Sequence, residues 1–389
     1  MKIEQTKWNA AAGWTPAPTG RLAESAQLVL VFGATAILRT PALVAPITQF
    51  YPKAHILGCS TAGEICGTEV LDETLVVTAV QFEKSKIRHA QIGLAAAGDG
   101  FAAGEVLAQQ LPPAVAGATF GSLEKLTHVF VLSDGLKVNG SELVRGLKNH
   151  LPEHVTLTGG LAGDGDRFAE TLVFRDGVPQ KDTVAVLGFY GSQLRIGYGS
   201  LGGWDAFGPE RLITESKGNV LFKLDGQSAL GLYKRYLGEH AAGLPGTGLL
   251  FPLSLRTQSG QTAVARTILS VDEQTQSMTF AGDVPQGSYA RLMKANFEHL
   301  IEGASGAALA SRQALGIDHS ELAILISCVG RKLVLKQRIE EEVESVREVL
   351  GPDTILTGFY SYGEIAPFIR GDQCELHNQT MTITTFSEL

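Results

Sequence analysis

The chain has 389 residues, 32 basic against 40 acidic, for a formal net charge of −8. A mildly acidic surface repels a polyanion, and no Lys/Arg run rises above the background, which argues against nucleic acid as a partner. Aliphatic residues are abundant, and the 45 glycines are spread along the whole length; this composition reads as short elements joined by tight turns in a mixed α and β protein, long enough for two domains.

In chain order, the stretch to about residue 20 reads as a tail. It has no apolar core of secretory length between its charged start and its prolines, and nothing downstream approaches the roughly 20 apolar residues of a membrane span. The expectation is a cytoplasmic protein with no membrane contact. A unit then begins that occurs three times: an apolar strand, a helix, a second strand running into a Gly-acid turn, and a third strand. The first copy uses AQLVLVFGA from Ala26, HILGCSTAGEI from His55 and TLVVTAVQF from Thr74. The second uses THVFVLSDG from Thr127, LTGGLAGDG from Leu157 and TVAVLGFYG from Thr183. The third uses LAILISCVG from Leu322, LTGFYSYGEI from Leu356 and NQTMTITTF from Asn378. The Gly-acid pairs are Gly63-Glu64, Gly163-Asp164 and Gly363-Glu364.

The continuous apolar opening strands suit central positions covered on both faces, whereas the closing strands show stretches of alternation, as in TMTITTF. Thr40-Pro41 places a capping hydroxyl ahead of a proline at the first helical position. RIEEEVESVREVLGPD puts Ile339, Val343, Val346 and Leu350 on one helical face and stops at Gly351-Pro352. Between about Gly218 and Asp283 the sequence predicts a helix (SALGLYKRYLG), a Gly/Pro loop and a hairpin turning near Asp272 to Gln276; a long helix from about Tyr289 to Ala314 follows. The Gly-Asn and Asp-Gly signals between Lys217 and Asp225 set the expected boundary. The predicted organisation is a tail (1–20) and two α/β domains (21–220 and 221–389), built from repeated strand-helix-strand-strand units with mixed sheets covered by helices.

GCSTAGEI, TGGLAGDG, SCVGR, GFYSYGEIAPF and CELHNQT, in that order, together resemble the paired FIST N and FIST C domains of bacterial sensory proteins, from about Arg21 to Phe386. The resemblance implies a small-ligand sensor that is not an enzyme. With no output segment of its own, it would signal through a separate protein such as a histidine kinase of a two-component system or a cyclic-di-GMP enzyme. In length and architecture the chain is also similar to a stand-alone subset described as haem-binding nitric oxide sensors, which makes haem a candidate cofactor. The competing expectation is an amino acid or similar metabolite bound without haem.

A Gly-acid turn at a strand tip offers free backbone N–H groups and one negative charge, where α/β sheets usually meet ligands; the alternative is that the acid only caps amides. The candidate ligand-binding residues are Ser60, Thr61, Glu64, Asp164, Arg331, Tyr360, Ser361, Tyr362, Glu364 and Asn378. Arg331 would clamp a ligand carboxylate or a haem propionate, or else pair with Glu364 or Glu375. His377 is the first candidate for a haem iron ligand, with His55 and His299 in reserve. Cys59, Cys66, Cys328 and Cys374 show no C-x-x-C pairing and suit reduced thiols, and Cys374 with His377 gives only one local pair for zinc. A hydrolase is the remaining alternative, but GCSTAG and FYSYG both miss the G-x-S-x-G elbow and TGGLAGDG misses the dinucleotide spacing.

Overall fold

The computed structural model describes residues 1–17, 20–117, 122–175, 177–256, 263–367, 371 and 373–389; Phe368, which ends the GFYSYGEIAPF motif, lies outside them. Apolar runs at the start of each unit dictate three sheets. Leu28–Gly33 and Leu322–Cys328 are buried at every position, and so is the second half of Leu123–Ser133. Each of these strands runs parallel to the next strand of its unit, His55–Ser60, Thr156–Leu161 or Ile355–Ser361. The crossovers carry the helices Pro41–Phe50, Gly140–His150 and Ile339–Leu350. On the other side lie the antiparallel closing strands Leu75–Gln81, Thr183–Tyr190 and Met381–Glu388. An outer antiparallel strand follows in every sheet: Lys2–Asn9, Lys86–Gly93 or Leu194–Leu201.

The predicted N-terminal tail is therefore largely a sheet strand. Its alternation buries Glu4 and Thr6 against the closing strand, and the Met1 amino group lies 2.7 Å from Glu321 of the third unit. Scattered charges disguise an edge strand whose neighbour supplies the hydrophobic face.

The sheets exchange strands in a closed cycle. Glu64–Cys66, after the first turn, pairs with Ile355–Ser361 of the third unit. Gly363–Pro367, after the third turn, pairs with Thr156–Leu161 of the second. Val173–Arg175 of the second unit pairs with His55–Ser60 of the first. Each parallel pair approaches closely around one glycine. A Cβ on Gly58, Gly159 or Gly358 would lie 2.1, 1.9 or 1.8 Å from the carbonyl oxygen of Val31, Val131 or Leu325. Aligning these three glycines sets the equivalence of the copies, and it corrects the sequence reading of the second turn. Asp164, not Gly163, takes the position of Gly63 and Gly363, and Gly165 stands where the other two copies have glutamate.

Between the outer strand Leu194–Leu201 and the helix Phe297–Leu315, the third unit carries an inserted antiparallel sheet that spans Asp205–Lys217 to Tyr289–Lys294. The helix Ala229–Leu237 packs on it through Leu230 and Tyr233, over a separate core that includes Met278 and Phe280. The hairpin of Ile268–Asp272 with Ser277–Phe280 turns where the sequence places it. Asp205–Lys217 and Val220–Leu224 pair across the turn within Lys217 to Asp225. One expectation changes here. The long helix starts at Phe297, and Tyr289–Lys294 is a strand paired with Asp205–Lys217. The Thr40 hydroxyl does not cap its helix but donates back to the Ala36 carbonyl at 3.2 Å.

Candidate functional site

The bends that follow the second strands converge, and the backbone joins them in a ring. Ala62 N donates to Tyr360 O at 2.8 Å, Gly163 N to Ser60 O at 2.9 Å, and Tyr362 N to Leu161 O at 3.3 Å. These are equivalent bonds under the glycine alignment, one from each unit to another. Side chains reinforce the joints. Ser60 Oγ accepts from Leu172 N, and the Tyr362 hydroxyl donates to Gly165 O at 3.1 Å while its ring stacks on Phe168. Asp164 accepts from Thr35 Oγ1 at 2.7 Å and from the Arg167 guanidinium at 2.7 and 3.0 Å, tying the second unit to the first.

Glu64 and Glu364 occupy matching positions and make matching bonds. Glu64 accepts from the Thr61 hydroxyl and from both the hydroxyl and backbone N–H of Thr74. Glu364 accepts from Ser361 Oγ and from the hydroxyl and N–H of Thr380. Each side chain closes its turn onto the start of its own closing strand. Both are fully buried, and burial pushes Glu64 up to about 7 and Glu364 up to about 8 against the pull of those hydrogen bonds. A carboxyl whose folded-state pKa is raised contributes stability below its ordinary pKa near 4.5 and loses it as pH climbs through the folded value. A Glu64→Gln/Glu364→Gln variant is therefore expected to show a shallower fall in melting temperature between pH 5 and 9 than the parent. Parallel melting curves would show the pair to be electrostatically silent.

Arg331 is fully buried and pairs with neither Glu364 nor Glu375. It donates to Glu342 at 2.8 and 3.0 Å, to Leu300 O at 2.7 Å and to Gly202 O. Glu342 also accepts from Ser327 Oγ at 3.0 Å and from the Tyr360 hydroxyl at 2.7 Å. Arg331 and Tyr360 thus hold the third unit's helices to its sheet, and in this arrangement neither borders a cavity described in the structure.

Two of the predicted residues, Thr61 and Glu64, border an open hollow of about 300 Å³ beside the ring. All three units line it: Thr61 to Glu64 from the first, Gly165 to Arg167 from the second, and Val329, Lys332 and Leu333 from the third. Lys332 Nζ donates to Ala62 O at 2.9 Å and to Asp72, and lies 5.5 Å from the Tyr360 ring centroid. Gly63 leaves room for it: its φ of +133° suits glycine, and a Cβ there would sit 2.2 Å from Lys332 Nζ.

Compared with known protein families, residues 27–227 match the FIST N domain and residues 229–367 the FIST C domain. The chain belongs to the FIST family. FIST domains are associated with small-ligand sensing in signalling proteins, not with catalysis. A comparison with curated proteins gave no match. The two FIST domains interlock: the third unit, mostly FIST C, lends its Gly363–Pro367 strand to a sheet of FIST N and receives Glu64–Cys66 in return.

His377, the first candidate for an iron ligand, is enclosed in this structure. The side chain is fully buried, Nε2 lies 2.7 Å from Ala366 O, burial pulls its pKa down to about 4, and no described cavity reaches it. His299 contacts Asp205 at 2.7 Å on the surface, and His55 lies beside His89. Among the described residues no cluster of three His, Cys, Asp or Glu side chains could hold a metal ion. Asn378 joins the turn region to the inserted sheet, donating to Tyr362 O at 3.5 Å and accepting from Thr267 N at 3.3 Å. No helix among the described residues is long and apolar enough to cross a membrane.

The sequence reading missed Glu342, Lys332 and Arg167. Glu342 hides in the run Glu340 to Glu342, yet it precedes Val343 by one residue and Val346 by four, on the buried face of its helix. Lys332 follows Arg331 in SCVGRK and had only proximity to the motif to mark it.

Proposed function

We propose that this protein is a small-ligand sensor whose ligand occupies the hollow over the Glu64 turn, and that it signals to a separate partner such as a histidine kinase or a cyclic-di-GMP enzyme. The observation carrying this reading is that all three interlocked units contribute to the wall of that one hollow. A ligand that fits one arrangement of the turns better than another shifts the whole assembly by that difference in affinity, which is the thermodynamic content of sensing. The volume suits a molecule of amino-acid size, at the small end of ligand sites. Lys332 and Arg167 offer cations for a carboxylate, and Asp72, Glu73 and Asp166 offer anions for an ammonium group. An amino acid or a similar zwitterionic metabolite is the class these walls favour, and the burial of His377 speaks against haem as the receptor of nitric oxide.

The test is a thermal-shift screen of amino acids and related metabolites on the full chain. A ligand at about 100 times its dissociation constant stabilises by ~2.7 kcal/mol, and that shift is expected to vanish in Lys332→Met and in Asp72→Asn. A panel with no stabilising member, or a shift that both variants keep, would overturn the assignment. A Soret band in protein purified from haem-supplied cells, lost in His377→Ala, would restore the haem reading.

A further inference from the structure

A second cavity, of about 700 Å³, lies between the helix Gly140–His150 of the second unit, the inserted sheet and the strand Cys374–His377. It is separate in place and lining from the hollow over the Glu64 turn. Its apolar wall comes from Val144, Leu151, Leu255, Val264 and Leu376. Into this wall is set Arg266, only 5 % exposed.

Arg266 is unlike the other deeply buried arginine. Arg331 faces the carboxylate of Glu342, whereas Arg266 donates only to carbonyls: Nε to Asp283 O at 2.9 Å, and Nη1 to Ala265 O at 3.0 Å and Leu376 O at 2.9 Å. Nη2 makes no hydrogen bond to a described residue, and no described carboxylate comes within ion-pair distance. The nearest ones, Asp283 and Glu375, act on it only from farther away, and Asp283 is already bonded to Asn139 at 2.8 Å. A guanidinium taken out of water without a counter-charge is costly, and proteins tolerate one chiefly where an anion completes it.

We infer that this cavity is a binding site for an organic carboxylate with an apolar body, its charge held by the Nη2 edge of Arg266, which no described residue occupies, and its body laid along the Val144, Leu151 and Val264 wall. A single negative charge fits better than a phosphate dianion. With Arg266 counted, the lining sets Arg145, Lys148 and Arg266 against Glu153, Asp283 and Glu375, so a monoanion adds one net negative charge to a balanced site and a dianion adds two. The site joins the repeated core to the inserted sheet, so its occupant would bridge the two.

The experiment is calorimetric titration of the full chain with octanoate, octan-1-ol and octyl phosphate, repeated on Arg266→Met and Val264→Trp. Octanoate is expected to bind at least about tenfold more tightly than the alcohol, because only the carboxylate satisfies the buried charge. Arg266→Met is expected to abolish that preference. Since Arg266→Met also removes three bonds to carbonyls and could disturb folding, Val264→Trp fills the cavity while leaving those bonds in place, and it is expected to weaken octanoate at least about tenfold through steric exclusion. Equal binding of acid and alcohol, tighter binding of octyl phosphate than of octanoate, no octanoate binding at millimolar concentration, or octanoate binding that Val264→Trp leaves unchanged would overturn the inference. Lys332→Met, which removes one of the two cations of the other hollow, is expected to leave octanoate binding unaltered, so the two sites succeed or fail separately.

Discussion

Gly358→Ala is expected to destabilise the protein by at least ~3 kcal/mol, and to leave much of it insoluble on expression. The added methyl would lie 1.8 Å from Leu325 O, 2.7 Å from Leu325 C and 2.9 Å from Leu325 N. All three are backbone atoms of a strand buried at every position, so the neighbour cannot give way without breaking the sheet. Gly58→Ala and Gly159→Ala are expected to act alike in their own units. The control is Gly246→Ala, where nothing lies within 4 Å of the new methyl and φ is ordinary, with an expected change within ~0.5 kcal/mol. Soluble yield and the midpoint of urea unfolding measure both. A Gly358→Ala protein as stable as the control would mean that the parallel strands can separate freely.

Glu342→Ala is expected to cost ~3–5 kcal/mol, because it leaves the fully buried Arg331 without its counter-charge. The same change strips Ser327 and Tyr360 of their acceptor. Adding Arg331→Met to Glu342→Leu is expected to recover most of that loss, since a buried ion pair often contributes little more than an apolar pair of similar volume. Chemical denaturation of the two single variants and the double variant gives the coupling directly. A loss below ~1 kcal/mol in Glu342→Ala would show that water reaches Arg331.

The three copies were readable because each opens on an apolar run and bends at a fixed distance after its second strand. The strand exchange was not readable: Glu64–Cys66 has the composition of a strand, but nothing local in it says which sheet it will join. The same lack explains the slip at Asp164, where Gly163-Asp164 imitates the other two pairs by composition while the chain geometry places it one residue early. Ser60, Thr61, Glu64, Tyr360, Ser361, Tyr362 and Glu364 were singled out together and do converge, because hydroxyls and acids at strand ends must find partners wherever the ends meet. Which of them bordered open space depended on Lys332 and Arg167, brought in from other units. The Arg266 cavity could not be foreseen at all. Its walls come from residues 141 to 153, 255 to 288 and 373 to 376, and only the fold brings these together.

The circular lending of strands also bears on how the chain matures during synthesis. The edge of His55–Ser60 waits for Val173–Arg175, and Thr156–Leu161 waits for Gly363–Pro367. Glu64–Cys66 meets its acceptor only after Ile355–Ser361 has been made, close to the end of translation. Such distant pairings close slowly and leave strand edges bare in the meantime. A nascent FIST chain stopped short of residue 355 would therefore hold open edges in two of its sheets, a natural substrate for chaperones that shield unpaired backbone.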